Sequence, residues 1–500
     1  MKFAIHGHWY EKGLVVLLGL SLGLGATAGC SYTFDADKTD ITLIGDPPPL
    51  DRYRKINPNP VTGTTIVQGS DGVPWVVLQE PLPLGGDTTT SRFRLVRLAD
   101  PPAEEMLEAR DIRIRYRAFY LLDGDPKGQD PIKLTIHTAG DPPSADAVFM
   151  MPPGMPFLLI GGPRDDVFLY AAQTPDTASY QVLRRDGTVL RTLPIPEGVE
   201  PMNLGGRATF VLSPDGTLLL VRDGKQRLRA YSTMDETPPT DLGTRPSFFY
   251  YLSGSKTVLT VGDDGIHRVR VSDGYDVPLE PEKVDSLEGG AFGRYYYIVG
   301  NELRRVPTDG SAPPEVVQEG ALQLFAFAPN GAPVYSRDPR DRYFAGASDG
   351  WIGDWNFMER GRYVTFNYRE RRMRWLEHAA RDGGVGDLMS VRLDENARQG
   401  GPRLRLARNV SQYDDLDLSD PNGPDRGRLM VIENQAFTGP QSRMVVIDET
   451  SRTAEWLVPR AVSYRTIPDG TDDLMVDVVH DDTALTFDVY RVPLPVTRTP

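Results

Sequence analysis

The sequence predicts an all-β chain, a β-propeller of four-stranded blades, about eight of them within a range of seven to ten. Three observations carry this. Gly and Pro are abundant, 49 and 43 among 500 residues, and both interrupt helices and mark turns. Short apolar runs recur in pairs, and the second run of each pair alternates with period 2, the mark of a strand with one buried and one wet face. Two classes of turn recur in a fixed order among these runs.

The chain opens with an export signal. Lys2 and Lys12 flank a short polar start, and the apolar segment Leu14–Gly25 follows. That segment is too short to span roughly 30 Å of hydrocarbon as a helix, so it reads as the h-region of a signal peptide. Ala26-Thr27-Ala28-Gly29-Cys30 comes next and holds the single cysteine of the protein. This stretch resembles the lipobox of bacterial lipoproteins. Ala28, Gly29 and Cys30 match that pattern, and Thr27 departs from the usual Leu. The resemblance implies cleavage between Gly29 and Cys30, acylation of Cys30, and anchoring by three acyl chains at about 0.8 kcal/mol per buried CH₂. Ala26-Thr27-Ala28 also reads as an ordinary signal-peptidase site, whose use would release a soluble protein with a free thiol. Ser31, where some retained lipoproteins carry Asp, implies the outer membrane. The boundaries read from this are 1–29 signal, 30–63 flexible tether and 64–500 propeller. The tether is inferred from Pro47-Pro-Pro49 and Asn57-Pro-Asn-Pro60, which lack periodicity.

In the body, nine hairpins are clear and a tenth, near Pro333–Phe344, is doubtful. The clear ones start at Trp75, Phe119, Val167, Leu218, Val258, Tyr295, Tyr363, Leu429 and Leu474, each an apolar run followed by an alternating one. An ordinary propeller holds roughly four to eight blades, which favours eight with some hairpins as insertions. The first turn class comprises Ser213-Pro214-Asp215-Gly216, Ala328-Pro329-Asn330-Gly331, Asp420-Pro421-Asn422-Gly423 and Ile467-Pro468-Asp469-Gly470. Proline presets φ, Asp or Asn bonds back to the backbone, and Gly supplies positive φ. The spacing of these prolines points to a period of roughly 40 to 47 residues. The second class is Arg185-Asp-Gly187, Ser272-Asp-Gly274 and Thr308-Asp-Gly310. On these motifs the chain resembles the propeller repeats of the TolB and WD40-like class over about residues 64–495. The fullest match is Gly361–Phe366 with Gly386–Leu393 and Arg403–Leu406. The resemblance implies architecture and leaves activity open.

Composition narrows the function classes. Lys+Arg 55 against Asp+Glu 69 gives a net charge of −14, without the basic footprint of nucleic-acid binding. One cysteine excludes an intrachain disulfide and a Cys-cluster zinc site. Gly346-Ala-Ser348-Asp-Gly350 matches a nucleophile elbow, but the residues after it are a poor helix start, so Ser348 reads as a turn serine. His137, His267, His378 and His480 show no zinc spacing, and His267 reads as a packed core histidine. Asp415, Asp417 and Asp420 are calcium candidates, together with Asp414 and Asp425, yet an EF-hand glycine and terminal Glu are missing and a solvated acidic loop is the plainer reading. Asp472, Asp473, Asp477, Asp481 and Asp482 read the same way. The basic run Arg369–Arg374 is laced with acid and reads as a salt-bridged surface.

The sequence therefore points to a non-enzymatic binding scaffold. It is a single ring without a cofactor, held to the membrane only by its lipid anchor, that engages another envelope protein or peptide. The alternative is a propeller enzyme acting on glycans or peptides, with aromatics near Tyr343, Trp351 and Trp355 and a carboxylate pair across the channel.

Overall fold

The computed structural model describes residues 39–494, with breaks at 82–89, 100–101, 116–117, 125–129, 152–158, 162–166, 174–177, 185–187, 195–209, 214, 224, 245–247, 252–255, 329–330, 338–347, 353–354, 368–370, 378–385, 396–399, 417–427, 434–441, 470–472 and 482–484. Apart from two short 3₁₀ turns, the described elements are strands, in an up-and-down order in which consecutive strands pair antiparallel. The first complete set shows the pattern: Gly63–Gln68, Pro74–Gln79, Ser91–Arg97 and Glu104–Ala109. Its second strand, Pro-Trp-Val-Val-Leu-Gln, is buried over its first five residues because it sits between two neighbours and packs on both faces. Among the described residues, no helix is long and apolar enough to cross a membrane.

Seven sheets have four strands, and eleven further strands form one continuous run. Two long strands in that run change partner midway. Trp355–Asn367 pairs with Ser348–Ile352 up to Gly361 and with Arg372–Glu377 from Arg362. Leu404–Asp415 pairs with Gly386–Arg392 in its first half and with Arg428–Glu433 from Val410 onward. Counted by partner, the run is three more sets, and the described strands make ten. This is the upper end of the expected range rather than about eight. The fullest sequence match also needs correcting: Arg372–Glu377 lies between Arg362–Phe366 and Gly386–Arg392, so those two segments are not direct partners.

The last set takes its outer strand from the start of the described chain. Ala461–Thr466, Asp473–Asp481 and Thr486–Pro493 are joined by Arg54–Lys55, with Arg54 opposite Arg491 and Lys55 opposite Tyr490. Thr42–Ile44 adds in parallel to the edge strand Thr453–Pro459 of the preceding set. Described residues within the expected tether, among them Thr42–Ile44 and Arg54–Lys55, therefore contribute to these sheets. The prolines there do not break the pairing, because Pro47–Pro49, Pro58 and Pro60 lie outside the strands Thr42–Ile44 and Arg54–Lys55. Tyr53 is buried and its hydroxyl donates to the Leu457 carbonyl. Asn57 is buried too, donating to the Asn59 and Phe487 carbonyls at 2.7 and 3.1 Å and accepting from Val489 N at 2.7 Å.

Most of the apolar clusters among the described residues span successive sets. Val76 and Leu78 of the first set pack with Met475 and Val489 of the last. Met444 and Val446 pack with Leu474 and Val476, and Trp375 and Met389 pack with Val334. Among the described residues the second strands are covered on both faces and read as near-continuous apolar runs, whereas third strands such as Arg227–Ser232 keep the alternation. The up-and-down order also sorts the connections. Links from first to second strand and from third to fourth leave the same end, and both recurring turn classes belong to it. Asp215 there accepts from Ser213 Oγ at 2.6 Å and Thr217 N at 3.1 Å, and Gly216 takes φ 72°. Gly331, Gly274 and Gly310 are likewise at φ 81°, 70° and 72°. Asp469 receives Arg491 at 2.9 Å beside Pro468. Pro214, Pro329, Asn330, Pro421, Asn422, Gly423 and Gly470 lie outside the described residues.

Removing the Asn57 side chain strands the buried Val489 N–H of the last set, which costs about 1–3 kcal/mol. Urea unfolding of Asn57→Ala is expected to show that loss, while Asn59→Ala, at an exposed position, stays within about 0.5 kcal/mol of wild type.

Candidate functional site

Cys30 and Gly29 lie outside the described residues, but the way the chain enters the fold does not. Asp40 N donates to the Arg405 carbonyl at 2.9 Å, and Arg405 N returns a bond to the Asp40 carboxylate at 2.8 Å. Thr42 N donates to the Arg452 carbonyl at 3.0 Å. Arg452 sits in a link between third and fourth strands, and Arg405 lies near the start of a fourth strand. The chain therefore enters at the end that carries the two turn classes.

The first strand of each set lines the channel side of a propeller, and four neighbouring sets carry polar contacts across their seams there. Thr365 and Tyr413 hydroxyls meet at 3.1 Å, and Tyr464 donates to Asp414 at 2.7 Å. Thr64 of the first set donates to both oxygens of Asp477 of the last at 2.8 Å. Asp477 also receives Arg465 at 3.1 Å and the Ser463 hydroxyl. Behind these, Arg374 is fully buried, donating to Glu449 at 2.7 Å and pairing with Asp415, while Arg372 reaches the other Glu449 oxygen at 2.6 Å. Burial, reinforced by the Asp414 carboxylate, holds the Tyr464 phenol well above its ordinary value, and burial likewise raises Tyr413. These acids are committed to protein partners and staple one sheet to the next.

That placement decides several of the sequence candidates. Asp415 is engaged by Arg374, whereas Asp417, Asp420 and Asp425 lie outside the described residues. The described residues contain no group of three or more His, Cys, Asp or Glu able to hold a metal ion. Ser348 opens the strand Ser348–Ile352 and another strand, Trp355–Asn367, follows, so the strand–turn–helix context of a nucleophile elbow is not there. Tyr343 and His378, and the side chains of Trp351 and Trp355, are outside the described set. His267 is not packed among apolar groups alone: its ring nitrogens meet Asp276 at 3.0 Å and the Asp264 carbonyl at 2.9 Å. His480 pairs with Asp488 at 3.0 Å. The sequence reading missed Arg374, Glu449 and Tyr53, because charge buried between strands has no local period. It also missed the partners of His137: Asp146 at 2.8 Å and Glu105 at 3.0 Å.

No family model matches the chain, and no curated protein matches it. Among solved structures, a eukaryotic initiation factor is 12% identical over 81% of this chain and 91% of that one, with TM-score 0.41. BamB from Moraxella catarrhalis is 11% identical over 65% of this chain and 90% of its own, with TM-score 0.31. Dihydro-heme d1 dehydrogenase NirN is 10% identical over 87% and 81%, with TM-score 0.33. Likeness this distant carries no argument about activity, ligand or partner.

Replacing Arg374 by Met leaves Asp415 and Glu449 short of a buried cation, and breaking a buried pair in this way costs about 3–5 kcal/mol. Chemical denaturation of Arg374→Met is expected to show a loss of that size, against a much smaller one for the exposed pair partner in Arg270→Met.

Proposed function

We propose that this chain is an envelope-tethered propeller, lipidated at Cys30, which binds another envelope protein through the end of the fold opposite its tether. The observation that carries the reading is the entry of the chain at Asp40–Thr42, at the end that bears the recurring turns. From Cys30 to Thr39 is a stretch of nine residues, whose greatest reach is about 30 Å at roughly 3.3–3.6 Å per residue. An acyl anchor at Cys30 would keep the turn-bearing end near the lipid. The opposite end, made by links from second to third strand and from fourth to the next first, would then face outward. Loops at such an end are free to vary, because the sheets and their seams do not depend on them.

The enzyme alternative gains nothing specific from the described residues. The acids Asp414, Asp415 and Asp477 are held by Tyr464, Arg374 and Thr64 instead of standing as an open acid–base pair.

Site-specific photo-crosslinking in intact envelopes tests the proposal. A photoreactive residue replaces Asn301 or Leu485 at the outward end, or Ser311 or Ser451 at the turn-bearing end. Asn301 and Ser311 belong to the same sheet set. One reproducible protein adduct is expected from Asn301 and Leu485 and none from Ser311 and Ser451. Adducts from the turn-bearing end alone, or none anywhere, would overturn the binding reading. The mass of the mature N-terminal peptide tests the anchor separately: a diacylglyceryl Cys30 supports it, and an unmodified Gly29 start refutes it.

A further inference from the structure

His137 lies in the third strand of the second set, Ile132–Thr138, and its side chain is 5% exposed. Its Nδ1 is 2.8 Å from Asp146 of the same set, in the link just before the strand Ala147–Met151. Its Nε2 is 3.0 Å from Glu105, in the fourth strand of the first set. The other Glu105 oxygen accepts from Gly140 N at 2.9 Å, and the Phe119 ring stands 6.3 Å from the imidazole. Glu105 and Asp146 are the titratable groups that face the ring. Both are carboxylates, and both ring nitrogens point at them. A neutral imidazole has one N–H, so its second nitrogen would turn a lone pair on a carboxylate; only the imidazolium donates to both.

We propose that protonated His137 is a clasp holding the first sheet set to the second, and that this one seam loosens when the ring loses its proton. The two carboxylates come from neighbouring sets, so the bridge exists only while the sets are packed together. Burial works against the charge, but the hydrogen bonds and charges of Glu105 and Asp146 outweigh it and hold the ring above its ordinary value. A cation favoured by the fold contributes stability that is complete below the unfolded value near 6.5 and is lost as pH rises through the higher folded value. His267 serves as the comparison. It also meets oxygen on both sides, but its partners Asp276 and Asp264 lie in its own set, so it spans no seam.

Amide hydrogen exchange of the full chain, corrected for intrinsic rates, tests this between pH 5.5 and 9. Protection of Glu104–Ala109 and Ala147–Met151 is expected to fall several-fold as pH rises through the raised value of the ring. Protection of Arg294–Val299, remote from the seam, stays level. In His137→Gln the same two strands are expected to be poorly protected at every pH, and in Glu105→Gln the fall moves to lower pH. His267→Gln leaves the fall in place. Wild-type protection that is level with pH at Glu104–Ala109, or a fall that persists in His137→Gln, would overturn the clasp. Should His137→Gln not fold, Glu105→Gln decides alone: an unmoved fall refutes the proposal.

Discussion

Every sheet here needs a neighbour on each face, and the last sheet can have an outer strand only if the chain's beginning returns to supply it. The pairing of Arg54–Lys55 with Tyr490 and Arg491 meets that need. It joins residues that are hundreds of positions apart, and its loop-closure entropy grows only slowly with that separation. The support around it is mostly buried: Tyr53 against Leu457, Asn57 against Phe487 and Val489, and Val61 in the core between the first and last sets. A short strand with such backing holds because the apolar faces of the first and last sets would otherwise meet water. The same stretch fixes where the amino-terminal segment leaves the fold, so closure and orientation rest on one set of contacts.

Seams between sets combine two kinds of adhesive. The apolar clusters supply non-directional burial, which scales with area and tolerates small shifts. Polar contacts such as Thr64–Asp477, Tyr464–Asp414 and Arg374–Glu449 are directional and lose most when one partner is removed. They occur at every depth: Thr365–Tyr413 and Tyr464–Asp414 join neighbouring first strands, whereas Arg304–Glu280, Arg191–Thr237 and His137–Glu105 bridge sets toward the rim.

The repeat was legible because period-2 alternation and turn chemistry are local. Eight of the nine clear hairpins, beginning with the one at Trp75, correspond to central strands of eight sets, the one at Tyr363 takes the first and third strands of a ninth, and the doubtful one near Pro333 belongs to the tenth. The expectation of about eight came from the usual size of propellers and not from the residues, and the hairpins themselves were the better guide. Residues 39–63 misled for a physical reason. Asn57-Pro-Asn-Pro60 follows the two-residue outer strand Arg54–Lys55 and carries no period of its own, so it reads as tether although Asn57 is buried and makes three hydrogen bonds. Arg372–Leu376 was hidden by its charge; Arg374 looks like a surface residue until Glu449, 75 residues on, neutralises it in the interior.

What the pattern leaves unread follows from the same reasoning. Turns that join first to second strands must fit a fixed gap, so Asp215 and Gly216 are dictated by backbone geometry and recur in kind at Gly331 and Asp469. Links at the other end answer to no such repeat, and whatever they recognise is written in residues that the sheets do not constrain. Under the tethering proposed at Cys30, the entry of the chain at the turn-bearing end would leave the unconstrained end as the one presented to the surroundings, and recognition chemistry there would sit in the positions that break the period.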